Sequence, residues 1–188
     1  MSGVAASGRH DVAEYFALAE CGVISPDDHV ELLDGLIVAM SPQAPLHAAT
    51  VYHVEHLLLR KLAPHLLVRV QMPFVASATS APEPDICVVS GPPQRYVDRH
   101  PSSAVLVVEV SDTTLIQDRI TKASIYAAAA VPWYWIVNVR EHCVECFTRP
   151  DAEARRYADL VRAAGATILP LPSLSTEIAA DDLFPRTP

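Results

Sequence analysis

Residues 104–139 read AVLVVEVSDTTLIQDRITKASIYAAAAVPWYWIVNV. The first eight are nearly all β-branched or apolar, the pattern of a strand buried on both faces. WYWIVNV (133–139) repeats that pattern at the other end. Between them Leu115, Asp118, Lys122 and Tyr126 recur at helical spacing and predict a helix over about 113–129. Strand, helix and strand with apolar flanks make a right-handed βαβ crossover, so the chain should be an α/β protein. Glu109 disagrees with its surroundings. An ionised carboxylate in a buried strand is costly unless it lies at the sheet end and has a partner.

Toward the N-terminus, PDICVVS (84–90) is a shorter strand that Asp85 opens directly after Pro84. LLVRVQMPF (66–74) alternates, with Val68, Val70 and Met72 on one face and Arg69 and Gln71 on the other, as a half-buried strand should. Val51, Val54, Leu58 and Leu62 recur at helical spacing over roughly 45–62, and Pro64 ends that helix. Asp34-Gly35 inside VELLDGLIVAM is a tight-turn signal, so 29–40 should form a hairpin. DVAEYFALAE (11–20) reads as a short helix after a loose tail, 1–10. Toward the C-terminus, CVECFT (143–148) and RRYADLVR (155–162) look like antiparallel additions, with a short helix near 176–184. The expectation is one domain, 11–188, built on a mixed sheet flanked by helices.

Bulk properties narrow the function. With 51% hydrophobic and 19% charged residues in 188, the chain is no disordered segment and holds one domain. No apolar run approaches the roughly 20 residues of a membrane helix, and the start lacks a secretory pattern, so a cytoplasmic protein is expected. Cys143 and Cys146 form a CxxC within a strand, which would point them to opposite faces. No second pair follows, so they read as structural thiols. His53 and His56 are neighbours on one helix with His47 far round from them, which gives zinc no three-ligand face. Ser111 lacks the Gly-x-Ser-x-Gly elbow, and the 6 glycines form no phosphate loop, which removes acyl hydrolases and nucleotide triphosphatases.

Two carboxylates remain as candidates. Asp85 and Glu109, on neighbouring strands, can converge at one rim of the sheet, where Mg²⁺ or Mn²⁺ would find hard oxygen ligands. The plainer reading is two capped strand ends. Lys122 sits on the following helix, which can fold back over that rim. Its plainer reading is an i,i+4 pair with Asp118. Of 14 basic residues only Lys61 and Lys122 are lysines, and a compact ammonium suits a phosphate oxygen or a water. The net charge of −8 weighs against tight non-specific DNA binding by a lone subunit.

VELLDGLIVAMSPQAPLH (30–47), PEPDICVV (82–89), VLVVEVSDTT (105–114), DRITKASIYAAAAVPWYWIVN (118–138) and the late LPSLS (171–175), in this order and spacing, resemble the bacterial family of putative restriction endonucleases. That family is a branch of the PD-(D/E)XK nuclease superfamily. The resemblance implies a restriction-endonuclease-like fold, with Asp85 as the PD aspartate and Glu109 as the second acid. The superfamily's lysine usually lies two residues after that acid, here Ser111. In this branch it lies on the next helix, so Lys122 takes its place. Glu31 matches an early acidic position and His47 a position often histidine.

Trp133 and Asn138 depart from the family pattern, which often has acids there. The implied mechanism has Asp85, Glu109 and the Val110 carbonyl binding Mg²⁺ or Mn²⁺. Lys122 would steady the developing charge, and Glu31 and His47 would complete the shell. The implied partner is nucleic acid, with DNA expected first. A rival reading keeps the fold and the acidic pocket in a binding or regulatory module that does not cut. The apolar strands need cover, which also predicts a homodimer. Such a dimer could gather Arg60, Arg69, Arg95 and Arg99 into a basic rim.

Overall fold

The computed structural model describes residues 8–169 and 177–185. A six-stranded mixed sheet runs β3 (Leu66–Val70), β4 (Ile86–Ser90), β5 (Leu106–Ser111), β6 (Trp133–Asn138), β7 (Cys143–Asp151) and β8 (Arg156–Ala163), in that spatial order. Only β5 and β6 are parallel; every other neighbouring pair is antiparallel. The connection between the parallel pair is the expected helical crossover. It comprises α3 (Leu115–Gln117), a π-helical turn (Asp118–Lys122) and α4 (Ala123–Ala128).

The near-continuous apolarity of β5 and β6 follows from cover on both faces. On one face Leu106, Val108, Val110, Trp135 and Val137 pack under α2 (Pro45–Lys61), through Val51, Val54 and Leu58. On the other face Val107, Tyr134 and Ile136 pack under α4, through Ala123 and Tyr126. Burying each such aliphatic or aromatic side chain contributes about 1.5–3 kcal/mol. The C-terminal segment completes the first face: Ile178, Leu183 and Phe184 join Val144, Cys146 and Ala163 in the same cluster. The later strands are therefore better covered than their sequence implied.

A small annex carries the N-terminus. Helix α1 (Val12–Glu20) is capped by Asp11, whose carboxylate accepts the Glu14 N–H at 2.8 Å while Glu14 accepts the Asp11 N–H. It packs Tyr15 on Leu32 of the hairpin formed by β1 (Val30–Leu33) and β2 (Leu36–Ala39). Asp34 and Gly35 both adopt positive φ, as a two-residue hairpin turn requires. The hairpin is tied to the β3–β4 connection where Ala81 donates its N–H to the Leu32 carbonyl at 2.8 Å.

Four expectations need correction. Strand β3 stops at Val70, because Gln71 turns to φ +51° and Met72 is left 46% exposed. The start is not loose up to residue 10, since the His10 N–H is bonded to the Gly35 carbonyl at 2.8 Å. The last helix is a single 3-10 turn, Ala180–Leu183. The crossover helix is broken by its π turn. Residues 1–7 of the expected tail, and the LPSLS stretch, lie outside the described residues. Among the described residues no helix is long and apolar enough to cross a membrane.

Candidate metal centre

The β4–β5 ladder ends at Ile86↔Val108, one step short of Asp85 and Glu109. Where the next backbone bonds would form, side chains take over. Asp85 Oδ2 accepts the Val110 N–H at 2.8 Å, and Glu109 Oε2 accepts the Asp85 N–H at 3.4 Å. The two acids are thus on adjacent strands at the same end of the sheet, and both are buried. The left-handed turn at Gln71 wraps the end of β3 around the same point. Its N–H reaches the Pro84 and Asp85 carbonyls, and its amide donates to Asp85 Oδ1 at 3.2 Å.

Lys122 comes from above. In the π turn the Ala123 N–H reaches back five residues to the Asp118 carbonyl, which also accepts the Tyr134 hydroxyl at 3.1 Å. Asp118, Lys122 and Tyr126 then face the sheet together. The Lys122 ammonium lies 3.0 Å from Glu109 Oε1 and 3.3 Å from Glu31 Oε2. The Tyr126 hydroxyl donates to Glu109 Oε1 at 2.6 Å. Glu31 arrives on β1, buried, and its Oε2 also accepts the Glu83 N–H at 3.2 Å. His47 stands in the first turn of α2, which Pro45 starts, with Nε2 3.0 Å from Asp85 Oδ2.

This crowding of carboxylates sets the electrostatics. Burial drives the Glu109 carboxyl up to about 8, with Asp85, Asp118 and Glu31 pushing the same way and Lys122 opposing. Burial works against the Lys122 charge, yet Glu109, Glu31, Asp118 and Asp85 outweigh it and hold the ammonium above its ordinary range. Burial also raises Asp118, against Lys122 and the Thr114 hydroxyl, which donates to it at 2.7 Å. Half-buried Glu83 is raised by burial and by Glu31. For His47, burial is outweighed by the bond and charge of Asp85, so its imidazole is raised.

Negative charge therefore exceeds the positive charge of Lys122 and His47 at this end of the sheet. Hard oxygen donors in excess suit Mg²⁺ or Mn²⁺, which take one or two carboxylates and keep water or substrate oxygens for the rest. Among the described residues no three His, Cys, Asp or Glu side chains group to hold an ion by themselves. The donor set is thus the two-carboxylate kind, and it does not fit a four-ligand zinc site. His53 Nε2 sits on the Asp182 carbonyl and His56 Nδ1 on the Tyr52 carbonyl. Cys143 and Cys146 are free and buried.

All five side chains singled out from the sequence, Asp85, Glu109, Lys122, Glu31 and His47, meet here, and Val110 joins through its backbone N–H. Gln71, Glu83, Asp118 and Tyr126 belong to the same network and were not assigned to it from sequence. Tyr126 had a signal, four residues after Lys122 on its stripe. Gln71 had none, since alternation placed it on the outer face of a longer strand. Asn138 is buried and its side chain accepts the Glu141 N–H at 3.1 Å, a turn contact away from the acids.

A profile of the family Uma2, described as "Putative restriction endonuclease", matches residues 12–181. A crystal structure of a putative nuclease belonging to DUF820 from Anabaena variabilis superposes with a TM-score of 0.72. It is 15% identical, and the match covers 93% of this chain and 97% of that one. At that identity the likeness carries the fold alone. Nothing matches among curated proteins.

Proposed function

The chain belongs to the Uma2 family of putative restriction endonucleases, and from that premise we propose that it hydrolyses phosphodiester bonds of nucleic acid, DNA first. The observation that carries the reading is the contact of the Lys122 ammonium, at 3.0 Å, with the Glu109 carboxylate, itself bonded to the Asp85 backbone. Asp85, Glu109 and the Val110 carbonyl would hold Mg²⁺ or Mn²⁺, which when bound supplies a polarised phosphoryl oxygen and an acidified water. Lys122 places a fixed positive charge where the phosphoryl oxygens gain negative charge. Glu31 holds that ammonium in place from its other side. His47 and Gln71 fix the two oxygens of Asp85, and Tyr126 fixes Glu109.

A second reading, a binding or regulatory module that does not cut, is favoured by two observations. The net charge is −8, and every carboxylate oxygen of Asp85 and Glu109 already has a donor within the chain. The deciding experiment incubates wild type, Glu109→Ala and Lys122→Ala with linear, circular and single-stranded DNA in Mn²⁺. Cleavage by wild type alone supports the nuclease. Cleavage that survives in Glu109→Ala defeats this site assignment, and no cleavage with intact DNA binding selects the second reading. The proposal places the protein in the cytoplasm as a homodimer.

A further inference from the structure

The segment that carries Lys122 also has an outward face, which the chemistry above leaves unused. Ile116 and Ile120 are 74% and 67% exposed there. With Thr113, Thr114 and Gln117 of the same segment, and Ser41 from the loop after β2, they line an open groove of about 430 Å³. One lining residue, Thr114, joins the groove to the acidic network. Its hydroxyl donates to Asp118 at 2.7 Å, and the chain from Ser41 enters α2 and reaches His47 six residues later.

Three properties define what fits. The volume falls in the range of small-ligand pockets, about 300–1,000 Å³, enough for one nucleoside. A base still stacked and paired in a duplex cannot offer its ring face to such a groove, whereas an unpaired base can. The lining holds no charged side chain, so it cannot grip phosphates by ion pairing and releases few counterions. The isoleucines offer an apolar wall for a ring face, while hydroxyls and an amide offer donors and acceptors to ring edges. Unpaired bases are held in this way, by apolar packing and hydrogen bonds along the exposed edge.

We propose that this groove receives one unpaired base of the strand presented to the acidic centre, so that the substrate is single-stranded or locally opened nucleic acid. The inference rests on the nuclease reading and deepens it. Neutral variants test it without altering charge: the double variant Ile116→Ala/Ile120→Ala, and Ile116→Phe, which enlarges the stacking wall. Both positions are exposed, and unchanged melting temperatures verify folding. Binding of a short fluorescein-labelled single strand and of its duplex is measured in EDTA, and cleavage of both in Mn²⁺.

The single strand should bind wild type at least about fivefold more tightly than the duplex. The double variant should lose at least about fivefold in Kd or KM with kcat little changed, and Ile116→Phe should gain. Equal or better duplex binding, or single-strand affinity unmoved by both variants, overturns the inference while leaving a nuclease possible. Absence of cleavage by wild type defeats the nuclease reading, and the EDTA arm still decides the groove. No binding to either nucleic acid defeats both.

Discussion

The Lys122 ammonium lies 3.0 Å from Glu109 Oε1, with both side chains buried. Glu31 stands 3.3 Å from the same ammonium, so one lysine offsets two buried acids. Removing it strands those acids in low dielectric, which typically costs about 3–5 kcal/mol. Lys122→Met should therefore destabilise the metal-free protein by that order in urea unfolding above about pH 8, and by less where Glu109 is protonated. Glu109→Gln in the Lys122→Met background should recover part of the loss. Additive effects of the two changes would contradict the coupling.

The pH dependence has a defined sign. Glu109 ionises near its ordinary 4.5 when unfolded and near about 8 when folded. Between those values the folded state binds the extra proton, so the contribution is fully present below about pH 4.5 and is lost as pH rises through about 8. His47, also raised, acts in the same direction from its ordinary 6.5 upward. The melting temperature should fall from pH 5 to pH 8, and Glu109→Gln should flatten most of that fall. An equally steep profile in Glu109→Gln would remove this carboxyl as the source.

Metal binding competes for the same carboxylate. Mn²⁺ at 100 times its Kd should add about 2.7 kcal/mol of stability to the native state. The gain should be larger at pH 8 than at pH 6, since the ion displaces a proton. Glu109→Ala should abolish the thermal shift, and it should also cost stability in the metal-free protein, because Lys122 and Tyr126 lose the carboxylate they share. An unchanged Mn²⁺ response in that variant would remove Glu109 from the ligand set.

How much of this was visible in sequence depends on the residue. Asp85 and Glu109 stood out because a carboxylate in an apolar strand is conspicuous, and Lys122 because its helix must cross over the end of β5. Glu31 and His47 came from resemblance alone, as nothing in the hairpin or the start of α2 says which polar side chain turns inward. The π turn was hidden. DRITK contains no glycine or proline, and the contact that accompanies the turn is tertiary, a Tyr134 hydroxyl on the Asp118 carbonyl. Gln71 was hidden because its positive φ breaks the alternation from which its side was read.

Tyr126 gives a test of fine positioning. Its buried hydroxyl donates to Glu109 Oε1 at 2.6 Å, and a hydrogen bond to a charged group is worth about 1.5–3 kcal/mol. Tyr126→Phe should cost that order of stability above about pH 9, where Glu109 is mostly ionised, and less at pH 5. With its carboxylate less well solvated, Glu109 should titrate higher, moving the alkaline limb of the stability profile upward. A loss independent of pH would show a packing role only.

The assembly prediction turns on β8, the last strand of the sheet. Among the described residues no strand pairs with its other side, and sheet proteins normally cover such an edge or guard it with charge. Leu160 and Val161 are 57% and 48% exposed on this strand. Arg149 pairs with Asp159, and Arg162 with Glu141, beside them. β6 and most of β7 are already covered by α4 and the C-terminal segment, so β8 is where a second copy would gain most. A dimer through β8 would put two acidic centres in one particle, each able to meet one strand of a nucleic acid. Light scattering at micromolar concentration should give twice the chain mass, and Leu160→Lys should return the monomer while keeping the Mn²⁺ thermal shift. A monomeric wild type would remove the dimer; the basic rim does not follow from this interface, since Arg69 lies on β3 at the opposite edge of the sheet.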